Sequence, residues 1–156
     1  MSIEKVREFL GQRGFAHKIQ EFDVSSATVE LAAVALGCEG CRIAKTLSFE
    51  LGERTILIVA AGDARIDNPK YKAYFGGKAK MLAHEDAPLR VGHAVGGVCP
   101  FAVNEGVEVY LDVSLKRFET VYPACGSSNS AIELTLSELE SLTTPSVWVD
   151  VCKLPQ

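Results

Sequence analysis

The sequence predicts a single α+β domain spanning residues 1–156, and three observations support this fold class. The chain has 156 residues, the length of one compact domain. With 47% hydrophobic and 23% charged residues, its composition is close to that of globular proteins and excludes a wholly disordered chain. Six or seven strand patterns are joined mostly by short turns and interrupted by short helical patterns. The repeated strand–helix crossovers of a dinucleotide-binding fold are missing.

The first part of the chain predicts a helix, a strand and a second helix. Apolar residues at helical spacing indicate a helix over 2–11. A strand is expected from about Ala16 to Asp23. The hydroxyl side chains of 25–28 are possible N-caps for a helix through Leu36, which Gly37 ends.

The next segments predict a hairpin and a short helix. Residues 43–51 alternate with strand period, and the turn at 52–54 leads to a buried strand over 55–61, so the two strands should pair antiparallel. Asn68-Pro69 begins a helix by the rule that proline favours the first helical turn, and Gly76 ends it.

Shorter elements follow to the end of the chain. The patterns predict, in order, a strand at 78–82, a helix at 85–90, and strands at 107–113, 120–122 and 131–136. Ser137, with Glu140 at the capping-box position, predicts the N-terminus of a last helix. Valines alternating over 147–151 predict a final strand.

The distribution of charge constrains the partners. A net charge of −4 excludes a protein that binds nucleic acid mainly through its bulk charge. Residues 65–80 nevertheless contain five basic residues and one acid, whereas residues 101–156 contain eight acids and three bases. We therefore expect a polyanionic partner to approach the middle of the chain.

Neither export nor membrane insertion is indicated. The longest apolar run, 56–61, is far shorter than the ~20 residues that a membrane-spanning helix needs. The first residues lack the apolar stretch of a signal peptide, so a cytoplasmic protein is predicted. Of the five cysteines, Cys38 and Cys41 form the only CxxC motif. Two small residues in a turn are the favoured interpretation, with thiol redox chemistry or metal binding as the alternative.

Lys45 is the residue with the most information about function. It alternates with Ile43, Leu47 and Phe49, which places it on the apolar, inward face of its strand. A buried ammonium needs an anionic or polar partner, and such a partner could be a ligand. Alternatively, Lys45 lies near the strand end and extends its ammonium to water. The pattern alone leaves both interpretations open.

A glycine-rich loop at 96–100 is the second candidate. Its paired glycines would let a ligand approach main-chain N–H groups, which can hold an oxyanion during acyl transfer. An ordinary glycine turn is the alternative. Cys99 could be a nucleophile with His93 as its base, but apolar neighbours would raise the pKa of the thiol and favour a structural cysteine. Tyrosines among the lysines of 70–80 could contact RNA, or could belong to a solvated helix face.

Taken together, four segments resemble the YbaK/ProX family, which is related to the editing domain inserted in bacterial prolyl-tRNA synthetases. The segments are Arg42-Ile-Ala-Lys-Thr-Leu-Ser-Phe49, Val95-Gly-Gly-Val-Cys-Pro-Phe101, Arg117-Phe-Glu-Thr-Val-Tyr122 and Ala131-Ile-Glu-Leu134. The resemblance covers almost the whole chain. It implies a curved, mixed, mostly antiparallel and partly barrel-like sheet surrounded by short helices.

The resemblance also implies a metal-free and cofactor-free hydrolase that deacylates mischarged aminoacyl-tRNA in trans. Lys45 would engage the terminal adenosine or its phosphate and position the ester, and the loop amides of Gly96 and Gly97 would act at the ester carbonyl. The expected substrate-binding residues are Ser26, Thr28, Thr46, Val98, Cys99, Pro100, Ser128 and Asn129. The expected phosphate contacts to tRNA are Lys70, Lys72, Lys78 and Lys80.

The chain departs from the family pattern in the later loop. Gly126-Ser127-Ser128-Asn129 replaces a Gly-Lys-Arg-Gly stretch, Cys99-Pro100 replaces Ser-Pro, and no histidine lies near 127–130. Small amino acids such as alanine, cysteine or serine on tRNA-Pro are the expected substrates. The partners are then the acceptor end of tRNA and an aminoacyl-tRNA synthetase, with neither DNA nor membrane. A non-catalytic module that binds tRNA or a synthetase is the alternative function.

Overall fold

The computed structural model describes residues 2–155 as short helices around a mixed sheet. The helices are α1 (Ser2–Gly11), α2 (Val29–Leu36), α3 (Asn68–Phe75), α4 (Ala87–Arg90) and α5 (Leu136–Leu142). The strands are β1 (Gln20–Glu21), β2 (Ile43–Leu51), β3 (Arg54–Ala61), β4 (Arg65–Ile66), β5 (Glu108–Asp112), β6 (Thr120–Pro123), β7 (Ser130–Ala131), β8 (Leu134–Thr135), β9 (Ser146–Val149) and β10 (Cys152–Lys153). Six of the strands form one sheet in the order β8-β6-β2-β3-β5-β9.

The β2–β3 hairpin is the centre of this sheet. Its antiparallel pairing is confirmed, with Lys45 opposite Ala60 and Phe49 opposite Ile56. Residues 56–61 of β3 have no solvent-exposed surface, because the sheet is covered on both faces. Phe49 packs against Tyr71 of α3, with 5.4 Å between the ring centroids. Helix α3 therefore covers the sheet face to which Lys45 also belongs.

The predicted curved, mixed sheet is confirmed as a curled half-barrel. Among the described residues four of the seven strand pairs are antiparallel, but the three parallel pairs all lie in the six-stranded sheet. They join β2 to β6, β3 to β5, and β5 to β9. Strands β3, β5 and β9 consequently finish at the end of the sheet where β2 begins. We call this end the Lys45 end.

Several predicted elements differ from the structure. The strand expected over 16–23 is a 3-10 turn at Ala16–Lys18 followed by β1. The strand expected over 131–136 is split into β7 and β8, and 78–82 contributes a single bridge, between Met81 and Phe49.

The start of the last helix also differs from the prediction. Helix α5 is capped by Thr135 and Glu138, two residues earlier than predicted, because these two side chains form the reciprocal capping-box hydrogen bonds.

One hydrophobic core joins the described helices and strands. It includes Val6 and Leu10 of α1 as well as the residues of β3. The spacing of Ile3, Val6 and Leu10 places all three on the buried side of α1, as predicted. None of the helices within residues 2–155 has the length and apolarity needed to cross a bilayer.

A buried carboxylate connects two segments at the Lys45 end. Asp112 is 1% exposed and closes β5. Its two oxygens accept hydrogen bonds from the backbone N–H groups of Ser114, at 2.9 Å, and Val151, at 3.0 Å. The 3-10 turn after β5 and the chain after β9 are thereby held to one point.

Candidate functional site

A cavity of about 290 Å³ opens beside the first half of β2. Its walls come from the segment before α2 and the first turn of that helix, from β2, from the 96–98 loop, and from β6 and β7. Thr28 caps α2 by accepting a hydrogen bond from the N–H of Leu31 at 3.1 Å, which directs the helix N-terminus to the cavity wall. That end of a helix carries partial positive charge.

Among the described residues, Lys45 is the one charged side chain that lines this cavity. It is half-buried, and its ammonium donates hydrogen bonds to the carbonyls of Gly62, at 3.3 Å, and Ala64. Burial lowers the pKa of Lys45 from its ordinary value. Within residues 2–155 no carboxylate forms an ion pair with it. Its hydrogen-bond partners are therefore neutral carbonyls, and the carboxylates of Asp63 and Glu30 act on its charge from beyond ion-pair distance.

Thr46, next to Lys45 on β2, contributes an unsatisfied hydroxyl. Its Oγ1 is buried and has no hydrogen-bond partner among the described residues, although the residue lines the cavity. A buried hydroxyl without a partner costs free energy, on the order of 1–3 kcal/mol. Ser26 also lines the cavity, and its backbone N–H donates to the carbonyl of Ser128 at 2.6 Å.

The glycine loop divides into residues that face the cavity and residues that support it. Gly96 and Val98 line the cavity, and their N–H groups have no hydrogen-bond partner among residues 2–155. The N–H of Gly97 instead donates to the carbonyl of Ala94 at 3.0 Å. A Cβ at Gly97 would lie 2.7 Å from the carbonyl of Gly126. The structure therefore gives Gly97 a packing role, and the cavity-lining residues of the loop whose amides have no partner within residues 2–155 are Gly96 and Val98.

The end of the same loop points away from the cavity. Cys99 is fully buried, with its Sγ 3.6 Å from Nε2 of His93, and burial raises the pKa of its thiol to about 12. Its burial and raised pKa favour the structural interpretation of this cysteine. Pro100 lines a different groove, beside Phe9. The structure does not bring Cys99 or Pro100 to the cavity.

Ser128 and Asn129 stand behind the cavity rather than in it. Ser128 is exposed, and its carbonyl accepts the N–H of Ser26. The side-chain amide of Asn129 donates to the carbonyl of Phe22 at 2.9 Å. Both residues therefore connect the later loop to the segment before α2.

The four predicted phosphate-contacting lysines are not equivalent. Lys70 forms an ion pair with Asp150 at 3.0 Å, and Lys80 forms one with Glu50 at 2.5 Å. Lys72 and Lys78 line a separate surface depression. Glu50 is five residues beyond Lys45 on β2, about 16 Å along the strand, so Lys80 lies toward the hairpin turn. The fold does not bring the four lysines together beside Lys45.

Sequence reasoning missed Tyr122 on the cavity wall. Its hydroxyl donates to Oε2 of Glu133 at 3.2 Å, and the guanidinium of Arg42 lies 5.0 Å from its ring centroid. Burial and the neighbouring Glu133 raise the pKa of Tyr122. The strand containing Tyr122 was predicted, but its parallel pairing with β2 is a long-range contact without a local sequence signal.

Cys38 and Cys41 are both free thiols. Burial raises the pKa of each of them. In the part of the chain that the structure describes, no three His, Cys, Asp or Glu side chains are grouped to hold a metal ion.

Comparison with known proteins matches residues 23–142 to the family model described as aminoacyl-tRNA editing domain. The chain is 54% identical to the uncharacterized protein YwhH of Bacillus subtilis (strain 168), over 98% of both chains. It is 24% identical to proline–tRNA ligase of Bacillus cereus (strain AH820) over 65% of this chain, a match that spans 18% of the ligase.

A solved structure shares the whole fold. It is provisionally described as a trans-editing enzyme for prolyl tRNA synthetase. The TM-score is 0.86 with 32% sequence identity, and the alignment covers 97% of each chain.

Replacing Gly97 with alanine should destabilise the protein, because the added Cβ would overlap the backbone of Gly126. We expect a loss of about 1–3 kcal/mol in the free energy of unfolding, measured by urea denaturation. Gly77→Ala is the matched control, since the nearest atom to its Cβ would be 3.6 Å away. That variant should keep or slightly raise stability. Equal midpoints for the two variants would show that the glycine loop can adjust.

Proposed function

Because this chain belongs to the aminoacyl-tRNA editing domain family, we propose that it hydrolyses the ester of mischarged aminoacyl-tRNA. In this reaction the bond between the acyl carbon and the ribose oxygen breaks. Water supplies the hydroxyl of the released amino acid, and the tRNA recovers its free 3′-terminal ribose. The reaction would take place in the cytoplasm, where charged tRNA is used.

One observation carries the proposal: among the described residues that line the cavity, Lys45 alone is charged, and its ammonium has no ion-pair partner within residues 2–155. An ammonium has three N–H donors, and two of those of Lys45 are taken by Gly62 and Ala64. The third is available to an oxygen of the terminal nucleotide or of the ester. Because the first two bonds fix the direction of the side chain, little ordering is needed when substrate binds.

The cavity offers electrostatic stabilisation and positioning. No carboxylate or imidazole is among its described lining residues, so no side chain there is an obvious general base. We infer that the free amides of Gly96 and Val98, together with Lys45, stabilise the oxyanion that forms on the acyl oxygen. The attacking water would then transfer its proton to solvent or to a hydroxyl of the substrate.

The size of the cavity favours small amino acids. Much of its wall consists of alanine, glycine and hydroxyl side chains, and its larger members are Ile43, Leu47 and Tyr122. Thr46 presents the buried, unpartnered hydroxyl, which suits a polar group on the bound aminoacyl moiety. Alanine, serine and cysteine esters fit this description. Likeness to a proline–tRNA ligase and to a trans-editing enzyme for prolyl tRNA synthetase supports tRNA-Pro as the carrier.

Tyr122 would hold the terminal base. Its ring lies on the cavity wall and is fixed by Glu133 and Arg42. Aromatic rings stack on nucleobases with little sequence preference. Ser26 and Thr28, which also line the cavity, would contact the aminoacyl group.

Hydrolysis of a panel of mischarged tRNAs tests this function. Purified protein should release small amino acids from tRNA-Pro and leave aromatic and charged ones attached, because one cavity excludes large side chains more easily than it separates neighbours in size. The measurement is the loss of acid-precipitable labelled amino acid. Binding of tRNA without turnover of any panel member would instead support the non-catalytic module.

Lys45→Met should abolish deacylation while the fold remains intact. The substitution keeps the aliphatic part of the side chain and removes the cation. Two carbonyls lose a donor while a desolvated charge is removed, so stability should change by no more than about 2 kcal/mol. Lys72→Met is the control with the same loss of charge outside the cavity. Activity like that of the wild type in Lys45→Met would show that the lysine is not part of the site.

Thr46→Val should raise stability and lower activity. Valine has nearly the shape of threonine and removes the unsatisfied hydroxyl, so we expect about 1 kcal/mol more stability. If that hydroxyl binds substrate, kcat/KM should fall about tenfold.

The matched control for this variant is Thr55→Val. The hydroxyl of Thr55 accepts a hydrogen bond from Arg90 at 2.9 Å, so its loss should reduce stability and leave activity unchanged. A stabilised Thr46→Val variant with full activity would exclude Thr46 from substrate binding.

A further inference from the structure

The acids nearest in sequence to β4 and β10 all have partners. Asp63 forms a bidentate ion pair with Arg117, with distances of 2.6 and 3.1 Å. Asp150 pairs with Lys70 at 3.0 Å. Asp67 accepts a hydrogen bond from the backbone N–H of Lys70 and caps α3. Two of these three carboxylates are thus paired with cations, and the third is used as a helix cap.

Two cations on this surface remain without any partner. Arg65 and Lys153 are exposed, and the side chain of neither forms a hydrogen bond or ion pair within residues 2–155. They are direct cross-strand partners in the antiparallel β4–β10 pair. Like charges in such positions, with Cβ atoms about 5 Å apart, destabilise a strand pair. A polyanion bound across both side chains would remove this repulsion.

This pair of cations lies beside the candidate site. Arg65 directly follows Ala64, whose carbonyl accepts a hydrogen bond from the ammonium of Lys45. Strand β10 follows β9, which finishes at the Lys45 end, and β10 pairs with β4. The chain therefore brings Arg65 and Lys153 to the end of the sheet where the cavity begins.

The fold also gathers the three bases of the acidic C-terminal third at one end of the sheet. Residues 101–156 contain eight acids and three bases, which predicts a surface that repels RNA. All three bases nevertheless lie at the Lys45 end, because Lys116 and Arg117 follow β5 and Lys153 follows β9. Arg117 is paired with Asp63, and Lys116 lies over the ring of Trp148 at 4.6 Å. Lys153 is the unpaired member of this group.

We propose that Arg65 and Lys153 form a phosphate-binding pair that holds the RNA backbone next to the acceptor end while the terminal nucleotide enters the cavity. This inference rests on the proposed function for the identity of the RNA. It differs from docking on Lys72 and Lys78, which line their own depression along α3. Phosphate contacts of this kind position the RNA without reading its sequence.

Charge reversal at each position, Arg65→Glu and Lys153→Glu, tests the pair. Each variant places an acid opposite a base across β4 and β10, so its thermal stability should be equal to or above that of the wild type. Its affinity for uncharged tRNA should nevertheless fall about tenfold at 0.1 M salt, with a salt dependence shallower by about 0.7–0.9 per lost contact. Lys72→Glu, which changes the net charge equally, is the matched control.

Two further measurements separate this inference from the proposed function. In turnover assays, kcat/KM for charged tRNA should fall in both reversal variants, whereas kcat/KM for a short aminoacyl-adenosine ester should stay at the wild-type value. If the wild-type protein binds tRNA through this pair but hydrolyses neither ester, the phosphate-binding pair is supported and the proposed hydrolase activity is excluded. The phosphate-binding pair would be overturned if the wild type did not bind tRNA or if both reversal variants kept the wild-type affinity. It would also be overturned if Lys72→Glu lost as much affinity for tRNA as the reversal variants do.

Discussion

The position of the Lys45 ammonium is the constraint on which the candidate site depends. The β2–β3 register sets Lys45 opposite Ala60, and the chain beyond β3 then turns back so that the carbonyls of Gly62 and Ala64 meet the ammonium. That turn needs glycine, because a Cβ at Gly62 would lie 2.0 Å from the carbonyl oxygen of Gly40. An ammonium whose hydrogen-bond acceptors are neutral carbonyls stays directed and keeps its third N–H donor for an anionic or polarised ligand.

The glycine loop shows why two adjacent identical residues differ in function. Gly96 has a φ of +96°, and a Cβ added there would lie 3.7 Å from the Cβ atoms of Ala27 and Ser128, in ordinary van der Waals contact. Gly97 packs on the backbone of Gly126, and its N–H donates a hydrogen bond to the carbonyl of Ala94 within its own turn. The sequence motif alone makes them look equivalent, but one glycine provides access and the other provides close packing of two loops. This division directs attention from Gly97 to Val98 as the second available amide.

Local patterns predicted the parts of the site that lie on one element. The alternation in β2 placed Lys45 on the inward face, and the possible caps at 25–28, of which the structure uses Thr28, and the stop at Gly37 bounded α2. Tyr122 and the Arg65–Lys153 pair could not be predicted in this way, because each depends on the pairing of strands far apart in sequence. Charge counted along the chain was similarly misleading, since ion pairs such as Lys70–Asp150 and Lys80–Glu50 cancel charges that the count treats as free.

Asp112 fixes the backbone that carries the basic residues at the Lys45 end to the core. Its two oxygens accept hydrogen bonds from the N–H groups of Ser114 and Val151. The segments that contain Arg117 and Lys153 are therefore both bound to one buried carboxylate. Hinge motion of one segment without the other would leave at least one carboxylate oxygen without its donor in a region closed to water. The two segments should consequently move as one rigid body. The exposed side chains of this surface are flexible, but the backbone positions from which they extend are fixed by the buried carboxylate.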